Sequence, residues 1–150
     1  GSRLAALMAG GAYTKTFDAL IGGLYPSSPI TTRYDRADPL NGEEQAFLEW
    51  AIKSVTGLGW DENNFAKRNK AYFAKLQKKW KATLTDPMRP QIKNFQKRAF
   101  DSNIGPDEQA DALEKYQNLK SLSDSVKKVI ENTVGTMAIE HDALDAKYSQ

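Results

Sequence analysis

Residues 113–148, LEKYQNLKSLSDSVKKVIENTVGTMAIEHDALDAKY, carry Leu113, Tyr116, Leu119, Leu122, Val126, Val129, Thr133, Met137, His141, Leu144 and Tyr148 at steps of three and four. That period places them on one side of a helix, so the stretch predicts a helix buried along a single stripe. The phase slips around Ser121–Ser125, which leaves two readings: one long helix with a local irregularity, or two helices meeting at the serines. Upstream, Pro106 suits a first helical turn, and Asp107, Glu108 and Asp111 sit where the helix dipole is positive.

The same period extends back toward the N-terminus. Asp86-Pro87 reads as an N-cap and first helical position, followed by Ile92, Phe95 and Ala99 up to Asn103-Ile-Gly105. Asp61 reads as the N-cap of a preceding helix whose stripe is Phe65, Tyr72, Phe73, Leu76, Trp80 and Leu84. Before it, Glu43–Thr56 places Ala46, Phe47, Trp50, Ala51 and Val55 on one side, and Gly57 with Gly59 ends the helix. The loops between these first three helices come to about three to five residues, which predicts antiparallel neighbours. No stretch alternates with period two. The expected fold is all-α, an up-and-down four-helix-type bundle if the last stretch is a single helix. The 150 residues suit one domain with a sizeable core.

Ahead of the bundle (residues 41–150) lies a different kind of sequence, residues 1–40. Gly1-Ser2 has the look of a cloning scar and carries no weight in the fold. Leu4–Leu24 is apolar and small but is interrupted by Gly10-Gly11, Lys15, Asp18 and Gly22-Gly23, so it falls short of a spanning helix. Its first part, Arg3–Ala12, reads either as the apolar end of a targeting peptide or as a short docking helix. Residues 25–42 hold Pro26, Pro29 and Pro39 without helical period and are expected to be extended or turning. Such a lead suits laying along a partner, with Tyr13, Phe17, Tyr25, Pro26, Pro29, Arg33, Tyr34 and Arg36 as its candidate contact residues.

The formal net charge of +2 conceals a segregation. Residues 1–60 carry net −1, residues 61–100 net +8 and residues 101–150 net −5. The basic middle supplies Lys67, Arg68, Lys70, Lys75, Lys78, Lys79, Lys81, Lys93, Lys97 and Arg98 as a candidate partner-binding face. Such a strip can follow phosphates, with Tyr72 or Trp80 as stacking surfaces. It can equally be a solvated face, or be neutralised internally by the acidic end.

Few residues here support catalysis. The chain has no Cys and one His, which removes thiol nucleophiles, zinc-thiolate sites and iron–sulfur clusters. His141 and Asp145 share a helix turn, but two ligands do not make a metal site, and a histidine on an apolar stripe is the simpler reading. Asp107, Glu108, Asp111 and Glu114 read as dipole complements, not as a calcium loop. Gly57-Leu-Gly-Trp60 fits no phosphate or dinucleotide fingerprint and reads as a turn. Trp50, Trp60, Trp80, Phe65 and Tyr72 read as core. No catalytic residue, metal or cofactor is expected.

Two short stretches carry a family resemblance. Ala12-Tyr-Thr-Lys-Thr-Phe17 followed by Tyr25-Pro-Ser-Ser-Pro29, and Glu114-Lys-Tyr116 before the last helix, resemble segments of the PsbQ-like extrinsic proteins of photosystem II, as do the size, the absent Cys and the basic balance. The resemblance implies a four-helix bundle behind a proline-containing lead, a thylakoid-lumen location and a non-enzymatic role on a membrane-associated complex. The functional expectation is therefore an accessory subunit that docks on a larger protein complex through its lead and basic face. The alternative is a nucleic-acid-binding coat or architectural protein of a virion-like assembly; a secreted effector or adaptor ranks third.

Overall fold

A computed structural model describes residues 39, 40, 42–57 and 69–148. They form four α-helices, α1 (Gly42–Gly57), α2 (Lys70–Leu84), α3 (Arg89–Ala99) and α4 (Pro106–Tyr148), with a 3₁₀ turn at Asp86–Met88 between α2 and α3. The described residues contain no strand. The lead through Asp38, with its candidate contact residues, and the segment Leu58–Arg68, with Trp60, Asp61, Phe65, Lys67 and Arg68, lie outside the described residues.

α4 is a single helix of 43 residues, roughly 65 Å long at 1.5 Å per residue. The serines do not break it. Its buried side is Ala112, then Leu119, Leu122, Val126, Ile130, Thr133, Met137 and His141 at unbroken steps of three and four, with Ser123 and Val134 buried beside them. The apparent slip arises from counting Leu113 and Val129 into the stripe. Leu113 is exposed and Val129 only half-buried, while Ala112 and Ile130 take the core positions.

α2 begins later than Asp61. Asn69 is extended (φ −127°, ψ −176°), and its side-chain oxygen accepts the Tyr72 N–H at 3.1 Å, so Asn69 is the N-cap of this helix. Phe73, Leu76, Trp80 and Leu84 then face the core, with Trp80 fully buried. The helix stops where Pro87 removes an N–H donor. Thr85 holds the last turn closed, both its N–H and its hydroxyl donating to the Lys81 carbonyl at 2.8 and 2.6 Å.

The connection from α2 to α3 corrects the expected up-and-down topology. Thr85 and Arg89, on either side of the 3₁₀ turn, both keep right-handed helical dihedrals, so the chain bends without reversing. Asp86 does not cap α3; its carboxylate accepts from the Arg89 guanidinium at 2.6 Å. Cross-helix pairs show the consequence. Phe73 meets His141, Lys81 meets Glu131, Phe95 meets Lys115 and Arg98 approaches Glu108. As residue numbers rise along α2 and α3, they fall along α4. The two helices thus form one broken rod, antiparallel to α4 throughout.

The true reversal comes after α3. Asp101 accepts the Asn103 N–H at 2.9 Å in a tight turn, and Gln109 reaches back to the Asp101 carbonyl, which fastens the start of α4. The result is a long helical hairpin with α1 as a third rod against α4.

α1 buries a side that shares Ala51, and in part Phe47, with the expected one but is turned toward Leu48 and Ile52. Glu44, Leu48, Ala51 and Ile52 are buried, whereas Ala46 is exposed and Trp50 is 47% exposed. Trp50 packs sideways on the half-buried Phe47, ring centroids 5.7 Å apart. The aliphatic residues are flexible enough to interlock with α4, and the indole is left at the margin. Leu40, assigned to the lead from sequence, is also buried in the core, and its carbonyl accepts from the Gln45 side chain at 3.1 Å.

Two stability outcomes follow from this packing. Leu48→Ala, at a fully buried site, is expected to cost about 2–5 kcal/mol, and Trp50→Ala less than about 1 kcal/mol. The opposite order in urea unfolding would restore the side read from sequence. A Cβ added at Gly135, mid-way along α4, meets no atom within 4 Å, so Gly135→Ala should stabilise by roughly 0.5–1 kcal/mol. A lowered midpoint of thermal unfolding would contradict that.

Candidate partner-binding face

Joining α2 and α3 end to end gives the basic residues a common direction. On α2 the core side is set by Phe73, Leu76, Trp80, Thr83 and Leu84, and Lys75 and Lys78 project from the opposite side between the exposed alanines Ala71, Ala74 and Ala82. Lys70 and Lys79 flank them and are exposed. On α3 the half-buried Ile92, Phe95 and Ala99 face α4, which turns Lys93, Lys97 and Arg98 outward. The two basic sides therefore lie on one outer surface of the broken rod, and that surface is exposed without being apolar.

Lys81 stands apart from this group. It is half-buried and donates to Glu131 at 2.7 Å, so it ties the rod to α4. Arg98 lies 4.0 Å from Glu108, a second link of the same kind. Among the described residues these are the ion pairs that join the basic rod to the acidic helix. Internal neutralisation by α4 therefore reaches Lys81 and Arg98 and does not extend along the outer surface, where Lys70, Lys75, Lys78, Lys93 and Lys97 make no ion pair within 4.0 Å with any described residue. The acidic start of α4 is used locally instead, with Asp111 accepting from Lys115 at 3.2 Å.

The aromatic residues divide by position. Trp80 is sealed in the core and offers no stacking surface, which corrects its assignment as a possible base platform. Tyr72 is half-buried, edge-on to Phe73 at 5.1 Å. His141 is buried with its ring tilted against Phe73 at 5.4 Å, so it serves packing between α2 and α4. Among the described residues no group of three or more His, Asp or Glu side chains is arranged to hold a metal ion, and no helix is long and apolar enough to cross a membrane.

Sequence reasoning missed the polar groups around the bend between α2 and α3. Arg89, Lys120, Ser123, Asp124 and Lys127 line an open cavity of about 200 Å³ there, together with Thr85, Asp86, Ile92 and Tyr116. Lys120 and Lys127 belong to the acidic C-terminal block, which hid them in a block-wise count. Their seven-residue spacing, with Ser123 and Asp124 between them, is the signal that marks a shared side of the helix.

No protein family matches this sequence, and neither a curated protein nor a solved structure matches it.

The distinction between the tied and the outward lysines is measurable. Lys81→Gln is expected to lower stability by up to about 1 kcal/mol, as for a partly exposed ion pair, while Lys75→Gln and Lys97→Gln change it by less than about 0.5 kcal/mol. Equal effects in denaturant titrations would place all three lysines in the same environment.

Proposed function

We propose that this protein is a non-enzymatic accessory subunit that docks on a larger complex through the outer surface of the α2–α3 rod, with the N-terminal lead as a second contact. One observation carries the reading: Lys70, Lys75, Lys78, Lys93 and Lys97 lie along one exposed surface and make no ion pair within the described residues. A row of uncompensated charge raises the local concentration of an anionic partner and accelerates its association. The composition supports the non-enzymatic part, since the single histidine is committed to the core and cysteine is lacking. In this reading the four helices act as three rods, and α4 is the spine along which the bent basic rod lies.

The resemblance to PsbQ-like extrinsic proteins supplies the setting of the proposal, a membrane-associated photosynthetic complex facing the thylakoid lumen. The partner surface would then be an acidic face of that complex. The coat-protein alternative uses the same lysines on a nucleic-acid backbone and is separated from docking by what binds.

The test uses the full chain and a variant with Lys70, Lys75, Lys78, Lys93 and Lys97 changed to Gln. Salt-washed thylakoid membranes enriched in photosystem II should rebind the intact protein at low salt and release it as salt rises, because exposed charges are screened within about 8–10 Å at physiological ionic strength. The variant should keep its melting temperature and lose most of the rebinding. Random-sequence duplex DNA should bind the intact protein weakly at about 0.15 M salt. Tight, salt-sensitive DNA binding that the variant loses would favour the coat-protein reading. Equal rebinding by both proteins would show the rod to be a solvated face.

A further inference from the structure

The serine-rich stretch of α4 and the bend in the opposing rod occur at the same level of the hairpin. Pro87 and the 3₁₀ turn interrupt the rod there: Leu84, Thr85 and Met88 stay buried, Asp86 and Arg89 are exposed, and an open cavity borders this exposed side of the bend. On the α4 side, Ser123 is buried but small, sitting in a stripe otherwise built of Leu119, Leu122 and Val126. A bend facing a small residue leaves space, and the space is the cavity of about 200 Å³. Packing alone would favour a larger apolar residue at position 123.

What lines the space is cationic. Lys120 and Lys127 enter from α4, two turns apart on one side, and Arg89 enters from the rod. Asp86 and Asp124 are the carboxylates of the lining. Asp86 is engaged by Arg89 at 2.6 Å, and Asp124 comes within 4.0 Å of neither lysine. Two lysines thus line one concave site without a paired carboxylate. Ser123 and Tyr116 add hydroxyl donors, and the Ile92 side chain forms an apolar wall.

We infer that this cavity binds a phosphate monoester, its dianion held by Lys120, Lys127 and Arg89 and its organic part lying against Ile92 and Tyr116. The chemistry is that of charge-assisted hydrogen bonds: three cationic side chains and a serine hydroxyl match the acceptor-rich oxygens of a tetrahedral dianion. Arg89 is available for this because its pair with Asp86 is exposed on both partners, and such pairs contribute little and reform easily. Asp124 opposes a ligand of excess negative charge, which favours a single monoester over a polyphosphate chain. Asp86 and Arg89 also border a second hollow with Lys78 and Lys81, but the α4 residues of the site, Lys120, Ser123 and Lys127, are no part of the docking surface proposed above.

The experiment is a titration of the full ¹⁵N-labelled chain with inorganic phosphate and with glycerol 1-phosphate, at constant ionic strength. Saturable amide shifts are expected at Thr85–Arg89 and at Lys120–Lys127, with glycerol 1-phosphate binding more tightly than phosphate. The Lys120→Gln, Lys127→Gln double variant should weaken binding by at least about tenfold, the effect of removing two charge-assisted contacts. Ser123→Ala tests the same site with a smaller change, and Lys75→Gln with Lys97→Gln serves as the charge-matched control that should leave binding unaltered. Circular dichroism melts confirm that each variant folds. Sedimentation with phosphatidylcholine vesicles containing phosphatidate identifies the source of the ester. Co-sedimentation that the double variant loses points to a lipid headgroup, and its absence alongside saturable glycerol 1-phosphate binding points to a soluble ester. Linear, unsaturable shifts spread over the exterior lysines, or unchanged affinity in the double variant, would overturn the inference.

Discussion

A helix of 43 residues with a continuous apolar stripe cannot be stable alone in water, because burying that stripe needs partners along its whole length. Everything else in the fold answers that requirement. The sequence before α4 supplies the cover in pieces: α1 and α2 with their aliphatic and aromatic faces over one part, α3 over the part near the hairpin turn. Trp80 is the largest of the fully buried side chains, within the cluster that joins Leu48 and Ile52 of α1 to Leu84 and Met88 of the rod and to Leu122, Val126 and Ile130 of α4. A hairpin with a bent first arm satisfies the long helix better than three short antiparallel segments would, since the bend keeps both pieces in register with the same straight partner.

Holding the rod against α4 also decides where its charge goes. A helix committed to a core along one side must place its polar residues on the other, and α2 and α3 contain no acidic residue to dilute their lysines. α4 is acidic at its start and end, yet its carboxylates lie mostly beside or behind the shared interface, so they reach Lys81 and Arg98 and leave the outer row alone. The segregation visible as net +8 and net −5 in the sequence is therefore neutralised across the interface only at Lys81 and Arg98 among the described residues. That is a more informative outcome than composition allowed, because the same counts describe mutual neutralisation equally well.

Much of the helical content was legible in the sequence because period 3.6 and the stop signals act locally. Gly57 ends α1, Pro106 opens α4, and Phe73, Leu76 and Trp80 face inward as their spacing requires. What was not legible depended on choices between near-equivalent local readings. On α1 two faces carry apolar residues, and the bulk of Phe47 and Trp50 pointed to one, while shape against α4 selected Leu48 and Ile52. Asp61 and Asn69 are both good cap residues, and only the backbone at Asn69 shows which one caps α2. Asp86-Pro87 is a common helix start, but a start following so closely on a helix end, with helical dihedrals on both sides, is a bend and not a turn. Lys120 and Lys127 carry no local signal of a shared site with Arg89, because Arg89 lies thirty-one positions earlier than the nearer of them.

The bend links these findings. Had the chain reversed at Pro87, α3 would lie beside α2, their basic sides would turn apart or face each other at close range, and like-charge repulsion would have to be offset by acidic residues that neither helix contains. By bending instead, the rod spreads its lysines along its length, where each is separated from the next by at least one helical turn or projects at a different angle, and solvent screens what remains. The same bend stands beside the cavity that Arg89, Ser123, Lys120 and Lys127 line. One proline and the 3₁₀ turn around it therefore account for both polar features of the molecule. They make a long charged surface on the outside of the rod and a concave, three-cation site on its inner flank, and each follows from the need of α4 for a continuous antiparallel partner.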